Sequence, residues 1–499
     1  MEPQAADRGS FGEQRREGAA AADRLIAVVK RDCPTCRLVA PVLAALSTGT
    51  TRLRILSQDD PAFPEGLDVE HDEDLLASHR LGIEVVPTLL RLEGDREAGR
   101  SIGWHREEWR SIAGDPTLGE DLPPARPGCG ALNVEPQHAE RLARLVGAGP
   151  ALRSRGVELG DGEDPFEACF ARGWTDGLPV VPPEPERVAR MIAGTNRPPQ
   201  DVVGLVAPDL VPCTVEKVAV NAVMAGCLPE YLPVVLACVE AACAEEFNWH
   251  GLAATTYFSG PVVVVNGPVC GRLGMNSGMN ALGQGNRANL TIGRALQLTL
   301  RNVGGARPGE LDRATLGNPG KLSFCFAEDE DGSPWESLAV ERGAPPDASA
   351  VTLFAGEGPR GVIDQQSRTP ESLACSLASA LRSVAHPKLV LAFDAMVVVA
   401  PEHARVFREA GWSKARLRQE IQALLTTPAS ELLRGAGGCA EGVPAAAFPG
   451  PEEVKLPKFR PDGLLFVHAG GKAGLFSAIL GGWINGPGGS QPVTRVVRE

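Results

Sequence analysis

The tetrapeptide Cys33-Pro34-Thr35-Cys36 stands between an apolar run, Leu25 to Val29, and a helix-like run, Leu38 to Leu46. A Cys-x-x-Cys at a strand-to-helix turn puts its first sulfur at a helix N-terminus, where unpaired amides and the helix dipole favour a thiolate. Cys33 is therefore the candidate nucleophile and Cys36 its resolving partner. The same spacing would suit half of a zinc site, but zinc needs a second ligand pair, and no other C-x-x-C occurs in the chain. Dithiol chemistry is the reading these residues favour.

Cys36 is followed five residues later by Pro41, and Val85-Val86-Pro87-Thr88 lies downstream of a helix-like segment, Glu73 to Leu81. From Arg24 to about Gly114 the chain thus resembles the thioredoxin superfamily. The resemblance implies an active-site helix kinked at Pro41 and a cis bond before Pro87, on a loop that faces the sulfurs and positions substrate. It also implies a redox-active Cys33–Cys36 disulfide, recharged by an external dithiol reductase or a small thiol. No other cofactor is required by the sequence. Two positions depart from the family pattern. Asp32 replaces the tryptophan before the first cysteine and should raise the Cys33 pKa by like-charge repulsion. Ala27 stands where the family has a buried carboxylate.

A chain of 499 residues is too long for one ordinary core. The expected division is a disordered tail over 1–22, a thioredoxin-like α/β domain over 23–117, a linker with a short helix over 118–162, and a larger α/β domain over 163–499. The last should carry a mostly parallel sheet, as one unit or as two subdomains divided near residue 340, because apolar strand-like runs alternate with helix-like ones. With 43% hydrophobic and 22% charged residues the composition is that of a globular protein, and a net charge of -13 argues against nucleic acid as a partner. No apolar run approaches a membrane span and the first 22 residues lack a signal-peptide core, so a cytoplasmic location is expected. Twelve irregularly spaced cysteines fit a reducing compartment, most of them as small buried hydrophobes.

Further cysteines are candidate acceptors of electrons from Cys33. Cys129 lies in a Pro/Gly-rich turn of the expected linker, Cys213 precedes Thr214 at the start of a helix, and Cys227 follows that helix's end. Each has a structural role as its alternative. Gly274 to Asn289 forms an uncharged glycine- and asparagine-rich loop, apart from Arg287, leading into a helix. Asn286 and Arg287 are candidate contacts for a polar or anionic ligand there, and Arg287, Arg294 and Arg301 share one helical face, which would equally suit solvent or an interface. His403 and His468 fall at strand ends, as candidate acids or bases or as structural histidines, and Gly470, Gly471 and Lys472 follow as candidate ligand contacts. No H-E-x-x-H, P-loop or G-x-S-x-G motif occurs, and no metal is implied.

The segment opening at Gly173 and ending at Pro183, with the motifs after it, weakly resembles uncharacterised bacterial proteins related to the UGSC-type (seleno)proteins. Their Gly-Ser-Cys core is absent here, so no catalytic residue is carried over. The combined expectation is a thiol–disulfide module fused to a domain that reduces or transforms a small polar or anionic substrate, in an oligomeric state the sequence leaves open. Two alternatives remain: a lyase or hydrolase using His403 or His468 with the dithiol protecting a thiol, and a non-enzymatic ligand-binding protein.

Overall fold

The computed structural model describes residues 24–49, 51–94, 96–146, 152–160, 162–447 and 454–498. The expected tail, 1–22, lies outside them. The chain divides into two compact units, Met1–Asn133 and Val134–Glu499, both built from mixed helices and sheets in the α/β manner.

In the first unit, β1 (Arg24–Val29) leads into α1 (Pro34–Ser47), followed by β2 (Arg52–Ser57), β3 (Val69–His71), α2 (Leu76–Arg80), β4 (Val85–Val86), β5 (Thr88–Glu93), β6 (Arg96–Ile102), β7 (Trp104–His105) and α3 (Arg106–Ala113). The main sheet has the order β3-β2-β1-β5-β6. Its β1, β2 and β3 run parallel, while β5 and β6 are antiparallel additions. Leu25 to Val29 are buried throughout, as a central strand covered on both faces requires. α1 turns Val39, Val42, Leu43 and Leu46 into the core, each such side chain contributing about 1.5–3 kcal/mol. Pro41 sits inside this helix and removes one of its backbone hydrogen bonds.

Residues 118–133, expected as linker, belong to this unit. Leu118 is buried, Trp104 Nε1 donates to the Pro123 carbonyl at 2.6 Å, and Gly119 lies so close to the Trp104 ring that a Cβ would meet it at 2.4 Å. Two short strands follow, β8 (Ala125–Arg126) on β7 and β9 (Cys129–Gly130) on β4. Gln58 then holds the segment's end, donating to Asn133 Oδ1 at 2.8 Å and accepting from Leu132 N–H at 2.9 Å. A proline- and glycine-rich composition describes such a segment as irregular but cannot distinguish a free linker from one fastened to a sheet edge.

The second unit begins with α4 (Pro136–Val146), α5 (Pro165–Ala171), α6 (Pro185–Ile192), the hairpin β10 (Val202–Val206) and β11 (Val211–Thr214), then α7 (Val215–Ala225), α8 (Leu232–Ala242) and α9 (Trp249–Ala254). Next come β12 (Gly260–Asn266), α10 (Val269–Arg272), α11 (Arg287–Asn302), β13 (Cys325–Ala327), α12 (Leu338–Glu341) and β14 (Ala350–Gly356). The remainder is β15 (Arg360–Ile363), α13 (Pro370–Leu381), β16 (Phe393–Val399), α14 (Pro401–Glu409), α15 (Lys414–Leu424), β17 (Thr426–Pro428), α16 (Ala429–Leu432), β18 (Lys455–Pro457), β19 (Leu464–His468), β20 (Phe476–Ile484) and β21 (Val493–Val496).

Its large sheet repeats one pattern twice. β12 pairs parallel with β13 and antiparallel with β14; β16 pairs parallel with β19 and antiparallel with β20. The halves are joined where Gly356 faces Gly482. A Cβ on Gly482 would meet the Asp394 carbonyl at 2.7 Å, so only glycine permits that approach. Val262, Val264, Phe326 and Phe354 of one half share a core with Met396, Val398, Leu465 and Val467 of the other. The alternate residues Ala395, Val397 and Phe466 pack instead with Leu377, Phe407 and Leu417 from α13, α14 and α15, while α8 and α11 pack on the first half. The shared core makes this one unit, without a division near 340.

The expectation of a mostly parallel sheet is therefore corrected, since the antiparallel pairings outnumber the parallel ones in this sheet. Apolar runs such as those at β12 and β14 fit buried strands in either direction, and only the pairing distinguishes them. The apolar run Leu475–Leu480 reads equally as helix in the sequence, but Phe476–Leu480 lies in β20; a short apolar run has no period long enough to separate the two.

Candidate active site

Cys33 is the N-cap of α1, with extended backbone (φ -117°, ψ 118°), and its sulfur accepts the Cys36 N–H at 3.3 Å. Pro34, with its fixed φ and no N–H, starts the helix. On its other side the Cys33 thiol donates to the Val86 carbonyl at 3.4 Å, and the Val86–Pro87 bond is cis. Cys36 accepts the Lys30 N–H at 3.5 Å. Both cysteines are fully buried and no disulfide joins them.

A third sulfur completes the site. β9 places Cys129 directly opposite Val86, and its thiol lies close enough to Cys33 for each to shift the other's ionisation. The segment is fastened on both sides of Cys129: Thr35 Oγ1 donates to the Pro127 carbonyl at 2.6 Å, and Lys30 Nζ to the Gly130 carbonyl at 2.8 Å. Gly128 passes so close to β4 that a Cβ would lie 2.3 Å from Val85 Cγ1 and 2.6 Å from the Val86 oxygen.

The electrostatics follow from this crowding. The Cys129 thiol favours the Cys33 thiolate, but the Cys36 sulfur and burial outweigh it, and Cys33 is pushed up to about 11. Cys129 is raised further, first by Cys33 and then by burial, with Lys30 and Arg126 acting in the opposite sense. The raised Cys33 value therefore originates in the sulfurs and burial, not in Asp32, which is exposed. Ala27 is fully buried, so no carboxylate lies at its position. The acidic loop after β2 packs on the residues just before the dithiol, where the Asp59 carboxylate accepts the Arg31 and Asp32 amides at 2.7 and 2.9 Å.

In the second unit the candidate acceptors are enclosed. Thr214 caps α7 as expected, but Cys213 is fully buried. Cys227 donates to the Thr291 carbonyl at 3.3 Å and burial pushes it up to about 12. Neither sulfur is accessible, and Cys227 also follows the C-terminal end of α7, where the helix dipole opposes a thiolate.

The two glycine-rich loops do meet. Gly470 N–H donates to the Ser277 carbonyl at 2.8 Å, and Gly471 faces Met279. A cavity of about 390 Å³ opens between Gly274, Asn276, Gln284 and Asn286. Its asparagines are spent on the loop itself: Asn286 Oδ1 caps α11 by accepting Asn289 N–H, and its Nδ2 donates to the Gly274 carbonyl. Arg287 donates to the Gly226 carbonyl, Arg294 makes a two-pronged ion pair with Asp176 at 2.7 Å per contact, and Arg301 donates to the Gly173 carbonyl. Arg294 and Arg301 thus tie the Gly173–Pro183 segment to α11. Lys472, in the second of these loops, is exposed.

The histidines differ. His403 is buried with both ring nitrogens partnered, Nδ1 with Ser477 Oγ at 2.8 Å and Nε2 with the Asp364 carbonyl at 3.1 Å. His468 is equally buried, but Nδ1 alone has a hydrogen-bond partner, the Val399 carbonyl at 2.9 Å, while Nε2 lies 3.7 Å from Asp329 Oδ2. Beside it is Glu328, which the sequence analysis did not single out. One oxygen of its buried carboxylate accepts Asn266 Nδ2 and Leu338 N–H, both at 2.7 Å, and the other accepts His468 N–H. In the sequence it opens the acidic run Glu328-Asp329-Glu330-Asp331, whose charges suggest a solvated turn, and the sole hint of burial is its position directly after β13.

No family model, curated protein or solved structure matches this chain.

Proposed function

We propose that the first unit is a thioredoxin-like thiol–disulfide oxidoreductase and that the second handles a small polar or anionic substrate. The observation that carries the redox reading is Cys33 at the N-cap of α1, with the Cys36 amide on its sulfur and the Val86 carbonyl opposite. The sheet order β3-β2-β1-β5-β6, with β1–β3 parallel, supports the resemblance on which the reading rests.

In the reducing direction the Cys33 thiolate attacks a disulfide, and one sulfur of that substrate leaves as a thiolate. Cys36 then attacks Cys33 in the resulting mixed disulfide, releasing the second thiol and leaving a Cys33–Cys36 disulfide. Two electrons pass from the pair to the substrate, and an external dithiol reductase or small thiol restores the pair. A nucleophile held mainly as thiol reacts slowly at neutral pH, yet it also denies its reduced form the thiolate stabilisation that makes a strong oxidant. The couple therefore leans towards reduction, in keeping with a cytoplasmic role. For the second unit, the cavity lined by Gly274, Asn276, Gln284 and Asn286 favours the binding of a small polar ligand.

The test is turnover of a small disulfide substrate by the full chain with an added dithiol. Cys33→Ser should abolish it, and Cys36→Ser, which lacks the resolving sulfur on α1, should slow it. Full activity in Cys33→Ser would exclude the reading.

A further inference from the structure

Cys129 is placed with a care that a spare cysteine does not require. Its backbone is paired to Val86, the same residue whose carbonyl accepts the Cys33 thiol, and its neighbours on both sides are bonded to α1 and to the β1–α1 turn. Gly128 allows the segment to approach β4 more closely than any side chain would permit. Cys33 consequently has two sulfurs within reach, Cys36 one helical turn along α1 and Cys129 across the β4–β9 bridge.

We infer that Cys129 is a third redox residue, and that a Cys33–Cys129 disulfide is an alternative oxidised form of the site. This rests on the redox reading of Cys33 and Cys36 above. The step is a thiol–disulfide exchange without net oxidation. Cys129 gives up its proton, its sulfur bonds to Cys33 Sγ, the Cys33–Cys36 bond breaks, and Cys36 leaves as the thiolate that takes up a proton. The starting disulfide comes from an external disulfide, which departs as two thiols.

The charges favour this order of events. In the reduced site the largest influence raising Cys129 is the neighbouring Cys33 thiol, so Cys129 stays protonated. Once Cys33 is bound to Cys36 that influence is gone, leaving burial, which still raises Cys129, opposed by Lys30 and Arg126. Oxidation of the dithiol thus removes the largest influence that holds the third thiol protonated. Closing Cys33 onto Cys129 would also fix covalently the β4–β9 pairing that is present while the thiols are free.

The test treats the full-length wild type, Cys36→Ser and Cys129→Ser with oxidised glutathione, quenches with acid, alkylates free thiols and maps disulfides by mass spectrometry. Circular dichroism checks that each variant is folded. In Cys36→Ser, glutathione should attach to Cys33 and then leave as Cys129 displaces it, giving a Cys33–Cys129 link. Adding Cys129→Ser to that variant should make the adduct persist at least about tenfold longer, because the internal thiol acts at an effective millimolar concentration. If Cys36→Ser retains glutathione on Cys33 while Cys129 alkylates freely, and Cys129→Ser still forms Cys33–Cys36, the inference fails and the dithiol reading stands. If Cys33 forms no link in any of the proteins, both fail.

Discussion

Cys129 is the backbone partner of Val86. The carbonyl of Val86 in turn accepts the Cys33 thiol, so a segment 90-odd residues downstream in the chain closes over the dithiol and leaves Cys33 without exposure. Access and ionisation at Cys33 are therefore controlled together, by the packing of residues 125–130 and not by the C-x-x-C alone.

With Cys33 pushed up to about 11, only about one molecule in ten thousand carries its thiolate at pH 7. Iodoacetamide labelling of Cys33, followed by peptide mapping, should accelerate roughly tenfold per pH unit from pH 7 to pH 10. A plateau below pH 8 would contradict the assignment. The same ionisation argument places the midpoint potential nearer the roughly -270 mV of a reducing dithiol than the roughly -120 mV of a strong oxidant, as a titration in dithiol buffers would reveal.

Gly128→Ala should loosen the closure, because the new methyl group has no room between Val85 and the Val86 oxygen. Labelling of Cys33 at pH 8 should become several-fold faster in the folded variant, whereas an unchanged rate would mean that the segment does not restrict access.

The Asp176–Arg294 pair holds the Gly173–Pro183 segment to α11, and both side chains are mostly buried. Replacing Arg294 with Ala leaves a buried carboxylate and should cost about 3 kcal/mol in urea unfolding, the lower end expected for breaking such a pair. Burial alone would raise Asp176, but Arg294 outweighs it and the carboxyl stands below the usual range. Its contribution to stability is therefore complete above about pH 4 and is lost as the pH falls through the lowered value.

Glu328 has the opposite sign. Burial raises its pKa despite Lys414, the Leu338 amide and Asn266. Its contribution to stability is fully present below the ordinary glutamate value and declines as the pH rises through the raised one. Against Glu328→Gln, the wild type should lose relative stability from about pH 4.5 upward. A difference that stays constant from pH 4.5 to pH 8 would refute this.

Burial lowers His468, although the Val399 carbonyl and Asp329 oppose the shift. Its stabilising contribution is complete above the ordinary histidine value and is lost as the pH falls through the lowered one. In an NMR titration the His468 ring should titrate below 6.5, and lower still in Asp329→Asn, where the favourable charge is gone. A titration unaffected by Asp329→Asn would mean that the 3.7 Å approach carries no electrostatic weight.

Local chemistry made much of this architecture legible. Cys33, Pro34 and the apolar stripe of α1 are a strand-to-helix junction wherever they occur, and Thr214 and Asn286 cap helices for reasons contained in their own side chains. β20 was not legible, since Phe476 to Leu480 is apolar enough for either structure. Arg294 was legible as a charge on a helix, but its partner Asp176 lies 118 positions away.

The sequence by itself determined the dithiol, the helix that presents it and the alternation of strands with helices, because each depends on residues within a few positions of one another. Tertiary structure alone decided that Cys129 lies beside Cys33, that Cys213 and Cys227 are enclosed, that His403 is fully partnered while His468 is not, and that the two halves of the large sheet join at Gly356 and Gly482. The physical reason is common to all four. Ionisation, access and strand direction depend on which groups lie opposite across a packed interface, and neighbours along the chain carry no record of that.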